Sequence, residues 1–251
     1  MLPYLQLGPL HLYTYGLMLA CGLWQGYFFF RAEIRRRKLP IDASTLMFAI
    51  AVAGLFGAKL YHVGTALLAG QGREAWSDLF SFAGLAWNGG LIAGFAVLVG
   101  YARYAGVSVW SLLDAASPAA AIGYAFGRLG CFLAGDGDYG KPTSLPWGMS
   151  FPHGLVPTTQ RVHPTPLYEL AAAVLLFALL MRIVKRNPTP GTVFAIYLIG
   201  SGICRFLVEF IRLNPPVAFG LTEAQVISVL AMLGGIAIVF PRQKTSLAGA
   251  Q

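Results

Sequence analysis

Apolar stretches of about twenty residues recur along the whole chain, and each is long enough to cross the roughly 30 Å hydrocarbon core of a bilayer as one helix. They predict seven membrane segments, over residues 13–31, 44–70, 83–104, 110–133, 165–185, 191–211 and 222–241. The expected fold is an all-α polytopic membrane protein, a single integral membrane domain over 1–251. The first segment follows polar and Pro-containing residues rather than a basic n-region, and no A-x-A site closes it, so it reads as a retained helix rather than a cleaved signal peptide. No tandem repeat, low-complexity tract or soluble domain interrupts the pattern, and most connections are short. The exception is 134–164, between the fourth and fifth segments, which is rich in Gly, Pro and polar residues. Connections this long without regular structure are commonly functional, and Tyr139, Trp147 and Phe151 suit a membrane-interface surface there.

Composition and charge sharpen this picture. Only 11% of the residues are charged and 57% are hydrophobic, against about a quarter charged in a soluble domain. That balance excludes a soluble globular chain, a disordered one and a nucleic-acid binder. The net charge of +8 reflects topology rather than a polyanionic partner. With the N-terminus outside, eleven cations fall on the cytoplasmic side: Arg31, Arg35, Arg36, Arg37, Lys38, Arg103, Arg182, Lys185, Arg186, Arg242 and Lys244. Four fall outside, Arg73, Lys141, Arg161 and Arg212, and Lys59, Arg128 and Arg205 lie within segments. This bias predicts an outer N-terminus, a cytoplasmic C-terminus and an outer-side 134–164 loop. Cys21, Cys131 and Cys204 form no metal-ligand spacing or disulfide framework, so no structural metal is expected.

Ionisable residues inside apolar segments carry the chemical signal. Lys59, Asp114, Arg128, Glu169, Arg205 and Glu209 lie in or at the ends of predicted helices, and each costs a few kcal/mol or more if it faces lipid at mid-depth. Together they predict an internal polar site. Arg205, Glu209 and Arg212 share one helix face by their spacing of four and three. A self-satisfied ion pair would account for Arg205 and Glu209, yet leaves guanidinium donors spare. Arg128 sits between Gly127 and Gly130, and Gly123 with Gly127 makes a small-xxx-small step that permits close helix approach. Two arginines within a bilayer near its outer face make an anion site, and guanidinium forks match the oxygens of a phospholipid phosphate. Lys59, Asp114 and Glu169 are expected as structural ion-pairing groups, with Asp114 a partner for Lys59. Other chemistry is open on residues alone. Asp136 and Asp138 in GDGDYG resemble a fragment of a calcium loop, but a Gly-rich turn suits them better. His163, His62, His11 and His153 are lone imidazoles, Cys131 is a thiol with no adjacent base, and Asn88 is a polar residue expected to bond across helices.

At GRLGCFLAGDGDYG, residues 127–140, the chain resembles the signature segment of the prolipoprotein diacylglyceryl transferases, close to GRxGNFxNGExxG. GPLHLYTYG resembles that family's approach to its first helix, with Tyr15 at the functional tyrosine, and AWNGGLIAG its HGGL-type segment. LLDAASP, HPTPLYE and the RFxVEFxR pattern of Arg205 to Arg212 follow in matching order, so the likeness spans nearly the whole chain. The resemblance implies a multi-pass enzyme of the bacterial cytoplasmic membrane. It would move the diacylglyceryl group of phosphatidylglycerol onto the lipobox cysteine thiol of a prolipoprotein signal peptide and release glycerol phosphate, with no cofactor. Arg128 and Arg205 would then be its essential, phosphate-holding arginines. Tyr15, Asn88, Gly89, Cys131, Gly140 and Glu209 would line the substrate alongside them, Glu209 by orienting Arg205.

The chain departs from the pattern at informative positions. Asn88 stands for the family's HGG histidine and Cys131 for its signature asparagine, and Ala134 and Asp136 replace the usual Asn and Glu. An asparagine accepts no proton at neutral pH, so the base falls to Asp136, His163 or His62, in that order, unless none is needed. Two alternatives follow: a related transferase using another lipid or acceptor, or a non-enzymatic phospholipid-binding or transport protein on the same scaffold.

Overall fold

The computed structural model describes residues 1–8, 10–68, 70 and 86–248, with backbone alone for 7, 10 and 241–248. Arg73, residue 69 and residues 83–85 of the expected segments lie outside the described residues. Among those described, seven α-helices follow the predicted order: α1 Thr14–Arg36, α2 Ala43–Leu68, α3 Trp87–Tyr104, α4 Val109–Ala134, α5 Thr165–Val184, α6 Thr192–Glu209 and α7 Glu223–Ala248. Three short antiparallel hairpins accompany them: β1 Tyr4–Leu7 with β2 Leu10–Tyr13 before α1, β3 Met149–Phe151 with β4 Thr158–Val162 between α4 and α5, and β5 Pro216–Ala218 with β6 Leu221–Thr222 between α6 and α7. Four helix spans, Ala43–Leu68, Thr165–Val184, Thr192–Glu209 and Glu223–Phe240, are long and apolar enough to cross a membrane. Large apolar side chains such as Trp24, Phe48, Leu68 and Leu175 point outward. That is the wrong arrangement for water and the right one for hydrocarbon. The chain is a helical membrane protein.

Local chemistry sets the helix ends. Past Arg36 the chain closes in a Schellman motif, with Leu39 N–H donating to Ile34 O and Lys38 N–H to Arg35 O, and Lys38 takes φ 52°. Asp42 opens α2 by accepting from the amides of Ser44 and Thr45 and from both hydroxyls, which hold its carboxyl below the usual range. Thr222 and Gln225 form a reciprocal capping box at the start of α7. Phe219 and Gly220, both at positive φ, make the two-residue β5–β6 turn.

The chain divides into two compact units, Met1–Phe30 with Asp114–Gln251, and Arg31–Leu113. In the second, α2 and α3 touch backbone to backbone. A Cβ on Gly89 would stand 2.2 Å from Gly57 O and 2.3 Å from the Tyr61 Cβ. Gly89, expected to line the substrate, is thus buried where only hydrogen fits. Gly89→Ala is expected to cost about 1–3 kcal/mol through overpacking, seen as a lower apparent Tm in detergent; an unchanged Tm would contradict this contact. Lys59 is buried in the same unit and Asn88 half-buried.

In the first unit, Ala121, Leu176, Leu180, Val184 and Val193 form a core shared by α4, α5 and α6. Gly22 lets α1 approach α4, since a Cβ there would meet Phe126 Cβ at 3.0 Å and Gly123 O at 3.2 Å. Asp114 is fully buried, and its two oxygens accept from the N–H groups of Gly191 and Phe194 at 2.8 Å. A carboxylate at the positive end of α6 explains a charge that apolar surroundings alone would reject. Asp114 thus caps a helix start, a role beyond the ion pairing expected for it.

The 134–164 connection differs from the irregular loop expected. It contains β3 and β4 and has its own core of Tyr139, Phe151 and Val162, packed on Phe132. Tyr139 and Phe151 stack with centroids 4.0 Å apart. These two aromatics build the loop rather than an interfacial surface. Trp147 does remain exposed, with its indole N–H donated to Tyr168 OH.

Candidate functional site

Three elements of the first unit bring charged side chains to one place. On α4 the four- and three-residue steps from Tyr124 to Arg128 to Cys131 put all three on one face. On α5 Glu169 lies one turn into the helix that Thr165 and Pro166 begin. On α6 and just past it, Arg205, Glu209 and Arg212 keep the shared face that their spacing predicts.

Glu169 is the hub. Its Oε1 accepts from Arg205 Nη1 at 2.7 Å and from Tyr124 OH at 2.8 Å, and its Oε2 faces Arg128 Nε at 3.3 Å and Arg212 Nη1 at 3.4 Å. Asp138 forms the outer bridge, with Oδ2 accepting from Arg128 Nη1 and Oδ1 from Arg212 Nη2 at 2.5 Å. Glu209 Oε2 pairs with Arg205 Nη2 at 3.0 Å, while Oε1 accepts from Asn214 and Thr222. The Arg128 guanidinium also lies over the Tyr124 ring, 4.9 Å from its centroid. Three guanidiniums thus face three carboxylates in a cluster whose two glutamates are buried and whose Asp138 is partly exposed. Planar forks held in place by several acids are preorganised donors for a tetrahedral anion.

Beside this cluster lie the other expected residues. Cys131 Sγ is 4.0 Å from Arg128 Nη1 and hydrogen-bonded to Asp136. Tyr15 packs on Gly130, where a Cβ would meet its ring at 3.1 Å. Gly140 is wedged between Ile211 O and the His163 Cβ, with no room for a side chain, and its N–H donates to His163 O. The His163 ring pairs with Tyr168 at 3.3 Å, next to Trp147, so it joins the loop's polar chain rather than the arginine cluster. Lys59, Asn88 and His62 belong to the other unit. Glu169, expected as a structural ion-pairing group, contacts all three arginines. Asp138 and Tyr124 were missed as site residues. Tyr124 had a legible signal, four residues before the motif arginine; Asp138 had none beyond sharing a Gly-rich turn.

The two aspartates of GDGDYG are driven apart. Burial pushes the Asp136 carboxyl above the ordinary range, against the Cys131 hydrogen bond. Burial also pushes Asp138 upward, but the Arg212 hydrogen bond and the Arg212 and Arg128 charges outweigh it and hold Asp138 below that range. The two carboxyls are thus shifted in opposite directions, a pattern that can separate electrostatic from proton-transfer roles. The Cys131 thiol and both aspartates also place ligand atoms within 4.8 Å of one another. Two guanidinium charges already on Asp138 oppose a metal ion there.

Comparison with known proteins identifies the family. The family model described as prolipoprotein diacylglyceryl transferase matches residues 3–241. The phosphatidylglycerol–prolipoprotein diacylglyceryl transferase of Methylococcus capsulatus is 33% identical over 248 residues, covering 92% of this chain and 91% of that protein. The proteins of the same name from Geobacter sulfurreducens and Agrobacterium fabrum are 34% and 32% identical, covering 87% and 97% of this chain and 84% and 93% of theirs. With the family model matching residues 3–241 and relatives above 30% identical along most of their length, the chain belongs to the prolipoprotein diacylglyceryl transferase family.

Proposed function

We propose that this protein transfers the diacylglyceryl group of phosphatidylglycerol to the lipobox cysteine of a prolipoprotein signal peptide; the names of its relatives carry the diacylglyceryl transfer from phosphatidylglycerol to a prolipoprotein. The observation that carries the reading is the buried cluster in which Arg128, Arg205 and Arg212 share Glu169. It acts in the bacterial cytoplasmic membrane, with all seven helices spanning, the N-terminus and the 134–164 segment outside, and the C-terminus in the cytoplasm, as the cation bias supports.

The reaction needs no cofactor. The peptide thiol, ordinarily of pKa about 8.5, gives its proton to a base; a sulfur–carbon bond forms at the glyceryl carbon; and the carbon–oxygen bond to phosphate breaks, its electron pair leaving with glycerol phosphate. Negative charge grows on phosphate oxygens, so Arg128 and Arg205 act in the transition state. Glu169 and Glu209 fix their planes. Asp136 is the proton acceptor in this chain, where position 88 carries asparagine; Tyr15 and Cys131 contact the head group or its ester oxygens.

The test is purified protein with acyl-labelled phosphatidylglycerol and a lipobox peptide bearing Cys or Ser at the acceptor position. Label is expected on the Cys peptide only. Transfer to Ser, or none to Cys by folded protein, would overturn the reading. The assignment of Asp136 has its own consequence. A carboxyl raised by burial becomes a base only above the ordinary aspartate range, so kcat/KM should fall as pH drops through that raised value. Asp136→Asn should lower kcat/KM by about 10²–10³-fold and abolish this acid limb; a variant retaining the wild-type profile would exclude Asp136 as the base.

A further inference from the structure

We propose that Asp138 is a built-in counter-ion that occupies the anion position between Arg128 and Arg212 and exchanges with the phosphate of substrate and product. The inference rests on the phosphate-binding reading of the cluster and assigns that site its means of loading and unloading.

The cluster is already balanced, with Arg128, Arg205 and Arg212 facing Asp138, Glu169 and Glu209. Adding a phosphodiester to it would place four anions on three guanidiniums. Exchange of one anion for another preserves the balance, and only one carboxylate is placed to leave. The side chain of Asp138 is 33% exposed, whereas those of Glu169 and Glu209 are 2% and 0% exposed. Glu169 is also bound by Tyr124 and three arginines, and Glu209 by Asn214 and Thr222 in addition to its arginines.

Asp138 further resembles the group it would make way for. Its two oxygens, carried on one centre, each take a different guanidinium. The two free oxygens of a phosphodiester offer the same bridge. Departure of the carboxylate needs no movement of the backbone. The Asp138 carbonyl is held by the Thr165 hydroxyl, and its N–H donates to Asp136 Oδ1. A change of side-chain rotamer alone opens the bridge, an event fast compared with typical turnover. The carboxylate can then return and help expel glycerol phosphate.

The measurable consequence follows from linkage. While Asp138 holds the bridge, the competent fraction of the site is small, and apparent affinity is reduced by that fraction. Asp138→Asn keeps the shape and removes the charge. It is expected to bind sn-glycerol 1-phosphate about tenfold more tightly by calorimetry in neutral detergent. The same variant should show a KM for phosphatidylglycerol lowered to a similar degree, with kcat reduced because product leaves slowly. Asp138→Glu, which retains the charge, should stay close to wild type in glycerol phosphate affinity. If Asp138→Asn lowers the Tm, Asp138→Ser is measured in its place under the same criterion. Weaker or unchanged glycerol phosphate binding in a folded charge-removing variant would overturn the proposal. Binding by calorimetry requires no turnover, so a wild type that failed to act on phosphatidylglycerol would overturn the functional reading while leaving the exchange independently measured.

Discussion

Arg128→Ala is expected to lower kcat/KM by about a thousandfold or more while the protein still inserts and folds. The rate loss follows from position. Arg128, like Arg212, touches both the hub carboxylate and the loop carboxylate, and its face is braced by the Tyr124 ring. Removing a single neutral donor from an oxyanion site costs about 10²–10³-fold, and a charged fork that meets a departing phosphate contributes more. Folding should survive because Glu169 keeps Arg205, Arg212 and Tyr124. Arg205→Ala should behave similarly. Arg205→Lys is expected to do nearly as badly, because one ammonium cannot span Glu169 and Glu209 as the two Nη atoms do and still face substrate. The check is kcat/KM for a lipobox peptide at saturating phosphatidylglycerol. Activity within tenfold of wild type in Arg128→Ala or Arg205→Ala would contradict the site.

Glu169→Gln is the second large effect, and it should strike stability as well as rate. The substitution preserves volume but removes the charge that three guanidiniums share, leaving them with Asp138 and Glu209. Breaking a buried charge network by removing one partner costs about 3–5 kcal/mol. An apparent Tm lower by on the order of ten degrees is the expected reading in detergent. The sign with pH is set by its neighbour. Asp138 is held below the ordinary carboxylate range, so its contribution is present above the unfolded-state value and is lost as pH falls through the folded-state value. Glu169→Gln depends more on that remaining anion, and its Tm should therefore fall off more steeply than wild type on acidification. A variant with wild-type Tm and activity would show that the three arginines do not need the hub.

Much of the fold was legible because bilayer thickness and helix rise tie apolar run length directly to structure. All seven expected segments have helices in register, and the largest differences lie at the polar ends, where α1 runs on to Arg36 and α7 to Ala248. The hairpin core of 134–164 was not legible. Tyr139, Phe151 and Val162 lie far apart in sequence and alternate with turn residues, so no periodicity marks them as a shared core. The cost of burying charge singled out Arg128, Glu169, Arg205 and Glu209, which pair with one another in the structure, since charges in apolar helices must find one another. It could not say which acid meets which cation. Asp114 and Glu169 look equivalent in sequence, yet one caps α6 through backbone amides and the other gathers three arginines. Asp138 escaped because a partly exposed acid in a Gly-rich turn carries no burial penalty to explain.

The most direct measurement places 18O in the oxygen that joins the diacylglyceryl carbon to phosphorus in phosphatidylglycerol. Purified protein is supplied with this lipid and a lipobox peptide, and both products are weighed by mass spectrometry. If the arginine cluster holds a departing phosphate while a thiolate attacks carbon, the Cys peptide gains the diacylglyceryl mass without 18O, and the released glycerol phosphate retains the label. Label on the lipid side of the products would show phosphorus–oxygen cleavage, for which this arrangement of Arg128, Arg205 and Glu169 is the wrong site.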